Sequence, residues 1–211
     1  METKINLNQE TILGTDGWTS ANETWTYASA STITVPSGAA AKYKVGDKVK
    51  LTQTTVKYFY IITVADTLLT VTGGSDYTVA NAAITLNYYS HQANPIGFPA
   101  YFSITPTYTG FSAAPNLGVK LTITGRLVTY TLIVLANGTS NATGFTMTTV
   151  GASLTYVQSI FAVINAGTDT TGYFQIDPDA TTITFYASLA KGGFTASGNK
   201  SASGMFSYHL K

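Results

Sequence analysis

Two histidines, two aspartates flanking a proline, and a lysine run threaded with tyrosines are the residues whose types and spacing could do chemistry. Nucleophilic catalysis needs a nucleophile, a base within hydrogen-bond reach and a group that orients the base. Neither His91 nor His209 has such residues at a recognisable spacing. His91 falls in a proline- and glycine-bearing segment and His209 in the C-terminal SYHLK, so both read as solvated surface side chains, and neither has the local spacing of a metal ligand. Asp177 and Asp179 could serve as the paired carboxylates of a glycosidase or begin a calcium loop. Asp-Pro-Asp between two apolar runs reads more simply as a tight reversal, and calcium asks for several more oxygen ligands. Glu10, Asp16 and Glu23 lie beside Trp18 and Trp25, a set that a sugar-stacking cleft would use, although such tryptophans more often anchor a core. Gly73-Gly74 and Gly192-Gly193 lack the following Lys-Ser or Lys-Thr of a phosphate loop and read as turns. No catalytic residue, metal ligand or cofactor is predicted, and the chain is expected not to be an enzyme.

The basic stretch YKVGDKVKLTQTTVKYFY, residues 43–60, raises the question of a nucleic-acid strand. The whole chain has 11 Lys and Arg against 10 Asp and Glu, a net charge of +1, so no long-range pull toward polyanions exists. Strand alternation puts Val49 and Leu51 on one face and Lys48 and Lys50 on the other, predicting that both lysines share a solvated side while Tyr58, Phe59 and Tyr60 alternate in and out. Nucleic acid is therefore not an expected partner. No stretch approaches the roughly 18 apolar residues of a membrane-spanning helix, no signal peptide is recognisable, and membrane insertion is not expected. Cysteine is absent, which removes disulfides and thiolate metal sites. The Asn-X-Ser/Thr patterns at Asn22, Asn137, Asn141 and Asn199 are expected by chance in so Thr- and Asn-rich a chain.

With charged residues at 10%, polarity is carried by Thr, Ser, Asn and Gly, and the aromatic content is 14 Tyr and 10 Phe. Planar rings with a polar tip suit interfaces and carbohydrate faces. Tyr88, Tyr89, Tyr101, Tyr108 and Phe111, on either side of the proline-bearing segment, are least explained by alternation and are the candidate interface or glycan contacts.

The elements that must position these residues are strands. Short runs rich in Thr, Val, Ile, Tyr and Phe, punctuated by Gly, Asn, Asp and Pro, give an all-β pattern. TWTYASASTITV, KVKLTQ, VKYFYIITVA and LLTVTG form a meander with a tight turn at Asp66-Thr67. Asn137-Gly138, Gly167-Thr168-Asp169 and Asp177-Pro178-Asp179 supply later turns. Residues 154–165 fit a helical stripe as well, but β-branched and aromatic content favours a strand. The expected organisation is an extended or attachment segment at 1–14, a small β-barrel-like domain at 15–90, a stiff Pro/Gly linker at 91–99 and a jelly-roll-like β-sandwich at 100–211.

GDKVKLTQTTVKYFY, TVTGGSDYTV and NPIGFP, with the later ANGTSNATGFTMT and TTITFYASLAKGGFTASGNKSASGMFSY, resemble a module of tail-fibre or minor structural proteins in tailed-bacteriophage and prophage virions. The resemblance spans nearly the whole chain from Trp18 onward. It implies a non-enzymatic particle component on the exterior of tail or capsid, released by lysis, contacting other virion proteins and a host cell-surface glycan. It also implies self-assembly, expected as a homotrimer sealed by tyrosines and apolar residues. Capsid decoration or a head fibre is the alternative within structural proteins. A carbohydrate-binding module of an extracellular enzyme is the alternative from another class, and a catalytic gene neighbour would mark it.

Overall fold

A computed structural model describes residues 16–211; the expected attachment segment at 1–14, with Glu10, lies outside them. The chain is all-β and divides into two compact units, with the division between Ala100 and Tyr101.

The first unit holds β1 (Thr19–Ser20), β2 (Thr26–Ser29), β3 (Thr32–Thr34), the one-turn α1 (Ala39–Lys42), β4 (Lys48–Gln53), β5 (Thr55–Ala65), β6 (Leu68–Thr72) and β7 (Thr85–Ser90). They make one antiparallel sheet in the order β1-β7-β4-β5-β6-β3-β2. Asp66-Thr67 forms the two-residue turn that its chemistry predicts, between the paired Ala65 and Leu68. Alternation sends Ile33, Val49, Leu51, Phe59, Ile61, Leu69 and Val71 into one cluster. Tyr43 meets Tyr89 of β7 at 5.2 Å and Trp25, which precedes β2, at 5.9 Å, so strands near both ends of the sheet close on a common core. Burying one such aromatic or branched side chain is worth about 1.5–3 kcal/mol.

The other face of this sheet is covered too, which alternation did not anticipate. Phe98 reaches Tyr60 at 5.0 Å, Tyr58 at 5.9 Å and Trp18 at 6.1 Å, and the Trp18 indole N–H donates to the Ile96 carbonyl at 2.8 Å. Residues 95–98 of the expected linker thus pack onto the sheet, where Pro95 is buried. The solvated lysine face is corrected accordingly: Lys48 is 2% exposed and Lys50 half-buried, while Phe59 and Tyr60 are both buried.

The second unit contains β8 (Phe102–Ile104), β9 (Tyr108–Thr109), β10 (Phe111–Ala113), β11 (Asn116–Thr124), β12 (Leu127–Ala136), β13 (Gly138–Ser140), β14 (Thr146–Thr148), β15 (Val157–Asn165), β16 (Thr168–Ile176), β17 (Thr182–Tyr186) and β18 (Asn199–His209). The path is β8-β11-β12-β18-β15-β16-β17-β14-β9, with β13 bridging β10 and β18. Residues 157–165 take the strand alternative, paired with β16 across a turn at Ala166-Gly167 whose positive φ values suit a hairpin. That turn lies just before the expected Thr168-Asp169, which begin β16. The sheet curls into a sandwich-like form: Phe174 of β16 touches Phe206 of β18 at 5.4 Å although β15 separates their strands. Tyr130 stacks on Phe206 at 4.9 Å, its hydroxyl accepts from the Val150 N–H at 2.8 Å, and the Tyr208 hydroxyl donates to the Val150 carbonyl.

Candidate functional site

The lysine strand β4 is flanked by β5 and β7, and the register lines up three rows across them. Lys48 lies between Tyr60 and Ser90, Lys50 between Tyr58 and Tyr88, and Thr52 between Val56 and Thr85. Period two puts the three β4 side chains on one face. Cover thins along them. Lys48 is sealed beside Tyr60, with its ammonium 5.6 Å from that ring and donating to the Gly46 carbonyl at 3.1 Å. Lys50 is half covered, its ammonium 4.6 Å from the ring centroids of both Trp18 and Tyr88. At the Thr52 row the face opens into a groove of about 300 Å³ lined by Lys50, Thr52, Val56, Tyr58, Leu86 and Tyr88.

Leu86 is in the groove wall because of a bulge. The register between β4 and β7 slips between Lys50 and Thr52, so that Leu86 and Asn87 together oppose Leu51. Leu86 adopts a left-handed φ of 47° and is 65% exposed. A bulge turns a side chain away from its alternating direction, and a non-glycine residue in this region carries about 1–2 kcal/mol of strain. Burial lowers the Lys50 pKa, with the Asp16 carboxylate opposing through space, and lowers that of Lys48 against the opposing charge of Asp47. Burial likewise raises the pKa of Tyr58.

Lys200 on β18 is 0% exposed and sits in a cage of rings. Its ammonium lies 4.6 Å from the Phe111 centroid and 5.3 Å from that of Phe194, and donates to the carbonyls of Ala142 at 2.9 Å and Gly144 at 2.8 Å. Burial pulls its pKa down to about 8. On the surface of the same unit Lys191 donates to the Gln175 side-chain oxygen at 2.7 Å and to the Tyr156 hydroxyl at 3.2 Å, and Gln175 donates onward to Asp177 at 2.7 Å. That cluster has tyrosines, an amide and a carboxylate, but its polar atoms satisfy one another.

Of the five aromatic candidates, Tyr88 lines the groove, while Tyr89 points to the opposite face of β7 and packs on Tyr43. Tyr101 is 45% exposed beneath the Lys120 ammonium at 4.3 Å. Tyr108 lies 6.3 Å from Phe111, lines a cleft of about 140 Å³ with Pro106 and Pro115, and has its pKa pushed up to about 12 by burial. Phe111 belongs to the Lys200 cage. The structure therefore brings Tyr108 and Phe111 together and sets Tyr88 and Tyr89 on opposite faces.

His91 donates from Nδ1 to Asp47 at 2.9 Å, a partner that sequence spacing did not indicate, and His209 pairs with Leu127 at the end of β18. Asp177-Pro178-Asp179 is a turn, with Ala180 N–H donating to the Asp177 carbonyl at 3.1 Å. Trp18 and Trp25 are buried, and Glu23 accepts from the Trp25 indole at 3.0 Å, the Tyr43 hydroxyl at 2.6 Å and Lys42 at 2.6 Å. No group of three or more His, Cys, Asp or Glu gathers among the described residues. The Leu86 bulge and the Lys200 cage left no signal in sequence, whereas Lys50 beside Tyr58 was visible as a basic aromatic run.

Comparison with protein-family models, curated proteins and solved structures finds no match to this chain.

Proposed function

We propose that this chain is a non-enzymatic structural protein of a tailed-phage virion, assembling with copies of itself, as a trimer, on the exterior of the particle and presenting its second unit toward a host-surface glycan. The observation that supports self-assembly is an uncharged sheet face that exposes large apolar side chains among Thr and Ser. Val128, Tyr130 and Leu132 turn inward from β12, Phe206 and Tyr208 from β18, and Phe161 and Val163 from β15. The alternate residues of these neighbouring strands therefore face outward, and among them Ile133 is 45%, Met205 65% and Ile160 61% exposed. Apart from His209, these three strands carry one charged side chain, the buried Lys200. An uncharged face meets a copy of itself without charge repulsion, and large exposed apolar side chains such as Ile160 and Met205 are what an association surface would cover. The phage assignment itself is supported by the resemblance of GDKVKLTQTTVKYFY, TVTGGSDYTV and NPIGFP to virion modules.

Light scattering of the full chain at micromolar concentration, with Met205→Lys and Ile160→Lys, tests the assembly: a trimer that the double variant converts to monomer is the expected result. A wild-type monomer would remove the assembly reading. Particle cryo-EM tests the location, since density confined to the head would favour capsid decoration over a tail role, and no density on any particle would remove the virion assignment.

A further inference from the structure

We propose that the groove over β4, β5 and β7 is a binding site for a small carboxylate carried on a ring. The inference goes beyond the assembly reading and stands on different residues, in the other unit.

The first support is the state of Lys50. Its strand neighbour Lys48 donates to the Gly46 carbonyl at 3.1 Å, and Lys57 on β5 donates to the Thr78 carbonyl at 2.7 Å. Among the described residues no hydrogen bond accounts for the Lys50 ammonium, which has the Trp18 and Tyr88 rings at 4.6 Å and Asp16 acting through space. One Asp16 carboxylate oxygen is taken by the Trp18 N–H at 3.0 Å. Ring faces attract a cation but accept no strong hydrogen bond, so among the described residues nothing holds the N–H groups of Lys50 away from an anion entering the groove.

The second support is the shape and chemistry of the walls. A volume of about 300 Å³ stands at the lower end of small-molecule sites, enough for one small ring compound. Beyond the ammonium the lining is the rings of two tyrosines, Val56 and Leu86, with the Thr52 and tyrosine hydroxyls as its polar groups. An inorganic anion would use the charge and waste the apolar wall; a neutral sugar would use the wall and leave the charge unmatched. A ring bearing a carboxylate uses both.

The third support is Leu86. A strained left-handed residue that is 65% exposed gains nothing from core burial, and the bulge aims it at the groove rim, where an apolar ring face would cover it. The tyrosine cluster around Lys191 offers similar residue types, but there the lysine is already hydrogen-bonded to Tyr156 and Gln175.

The test is calorimetric titration of the full chain with sodium glucuronate and with 4-hydroxybenzoate, alongside glucose and inorganic phosphate. Either acid should bind with a dissociation constant of about 1 mM or tighter, and glucose and phosphate at least tenfold more weakly. Which acid binds distinguishes an acidic sugar from an aromatic acid. Lys50→Met should lower affinity at least tenfold while Lys50→Arg retains most of it. Leu86→Ser, at an exposed position that leaves the lysine in place, should weaken binding severalfold with an unchanged circular dichroism spectrum. The proposal is overturned if neither acid binds, if glucose or phosphate binds as well as the acids, or if binding survives both Lys50→Met and Leu86→Ser.

Discussion

Replacing Lys200 with Met should flatten the alkaline rise in stability of the second unit. The folded pKa of about 8 lies below the roughly 10.4 of an unfolded lysine. Between the two values the unfolded chain holds a proton that the folded chain has released, so stability rises with pH. This contribution is complete above the unfolded pKa and is lost as pH falls through the folded one. From about pH 7 to about pH 9.5 the ceiling is about 2 kcal/mol, and solvent screening with local relaxation brings the expected rise to about 1 kcal/mol. Lys200→Met also removes donors from the Ala142 and Gly144 carbonyls, but that loss is a constant offset and leaves the slope as the diagnostic. Urea titrations followed by far-ultraviolet circular dichroism would measure it, because both tryptophans, Trp18 and Trp25, report the first unit and their fluorescence identifies its separate transition. Equal slopes for the wild type and Lys200→Met would refute a desolvated ammonium in the cage.

Leu86→Gly should raise the stability of the first unit by about 1 kcal/mol by releasing left-handed strain, read as a higher urea midpoint of Trp fluorescence. Glu23→Gln should lower it by about 1–3 kcal/mol. Burial pushes the Glu23 carboxyl up, but its hydrogen bonds from Lys42, Tyr43 and Trp25, with the Lys42 charge, outweigh this and hold it below its usual value. The stabilisation is therefore present above the unfolded carboxylate range and lost as pH falls through the folded value, a loss that Glu23→Gln should abolish in acid titrations. Gly110→Ala should destabilise the second unit by about 2 kcal/mol or more, since φ is +91° and an added Cβ would strike the Gly144 carbonyl beside Lys200; thermal unfolding would show it. Tyr108 and Tyr208, both raised to about 12 by burial, should stay protonated after exposed tyrosines ionise, and stability should fall from about pH 10 upward; absorbance at about 295 nm would follow the two classes.

Much of the architecture was legible because it is local. Asp66-Thr67 dictates a two-residue turn, Asp-Pro-Asp reverses the chain, and the β-branched 157–165 run takes the strand alternative despite its helical stripe. The lysine face was misread because period two reports which residues share a side, not whether that side is open. Trp18 and Phe98, distant in sequence from β4, cover it. The Leu86 bulge was invisible for a different reason: the usual marker of a left-handed position is glycine or asparagine, and a leucine there is held by pairing on both sides of it rather than by its own preference.

Low charge content explains why the buried lysines look as they do. With 10 carboxylates in 211 residues, few ammonium groups can find an acidic partner, and burial must be offset by carbonyl oxygens and ring faces. Lys200 has two carbonyls and Lys48 has one, and both are closed to solvent. Lys50 shares its face with Lys48 two residues away but sits where the cover ends, with rings on its flanks and an open groove ahead. The same alternation that made the pair look like solvated sheet thus yields a structural cation and a receptive one. Phe98 packs on Tyr60, the ring beside the Lys48 ammonium, so truncating Phe98 to Ala should expose Lys48 and raise its pKa toward the ordinary lysine value without creating a second groove in the Thr52 row. Proton-detected titration of the lysine ammonium groups would read this, and an unchanged Lys48 would show that Tyr60 and the Gly46 carbonyl alone enclose it.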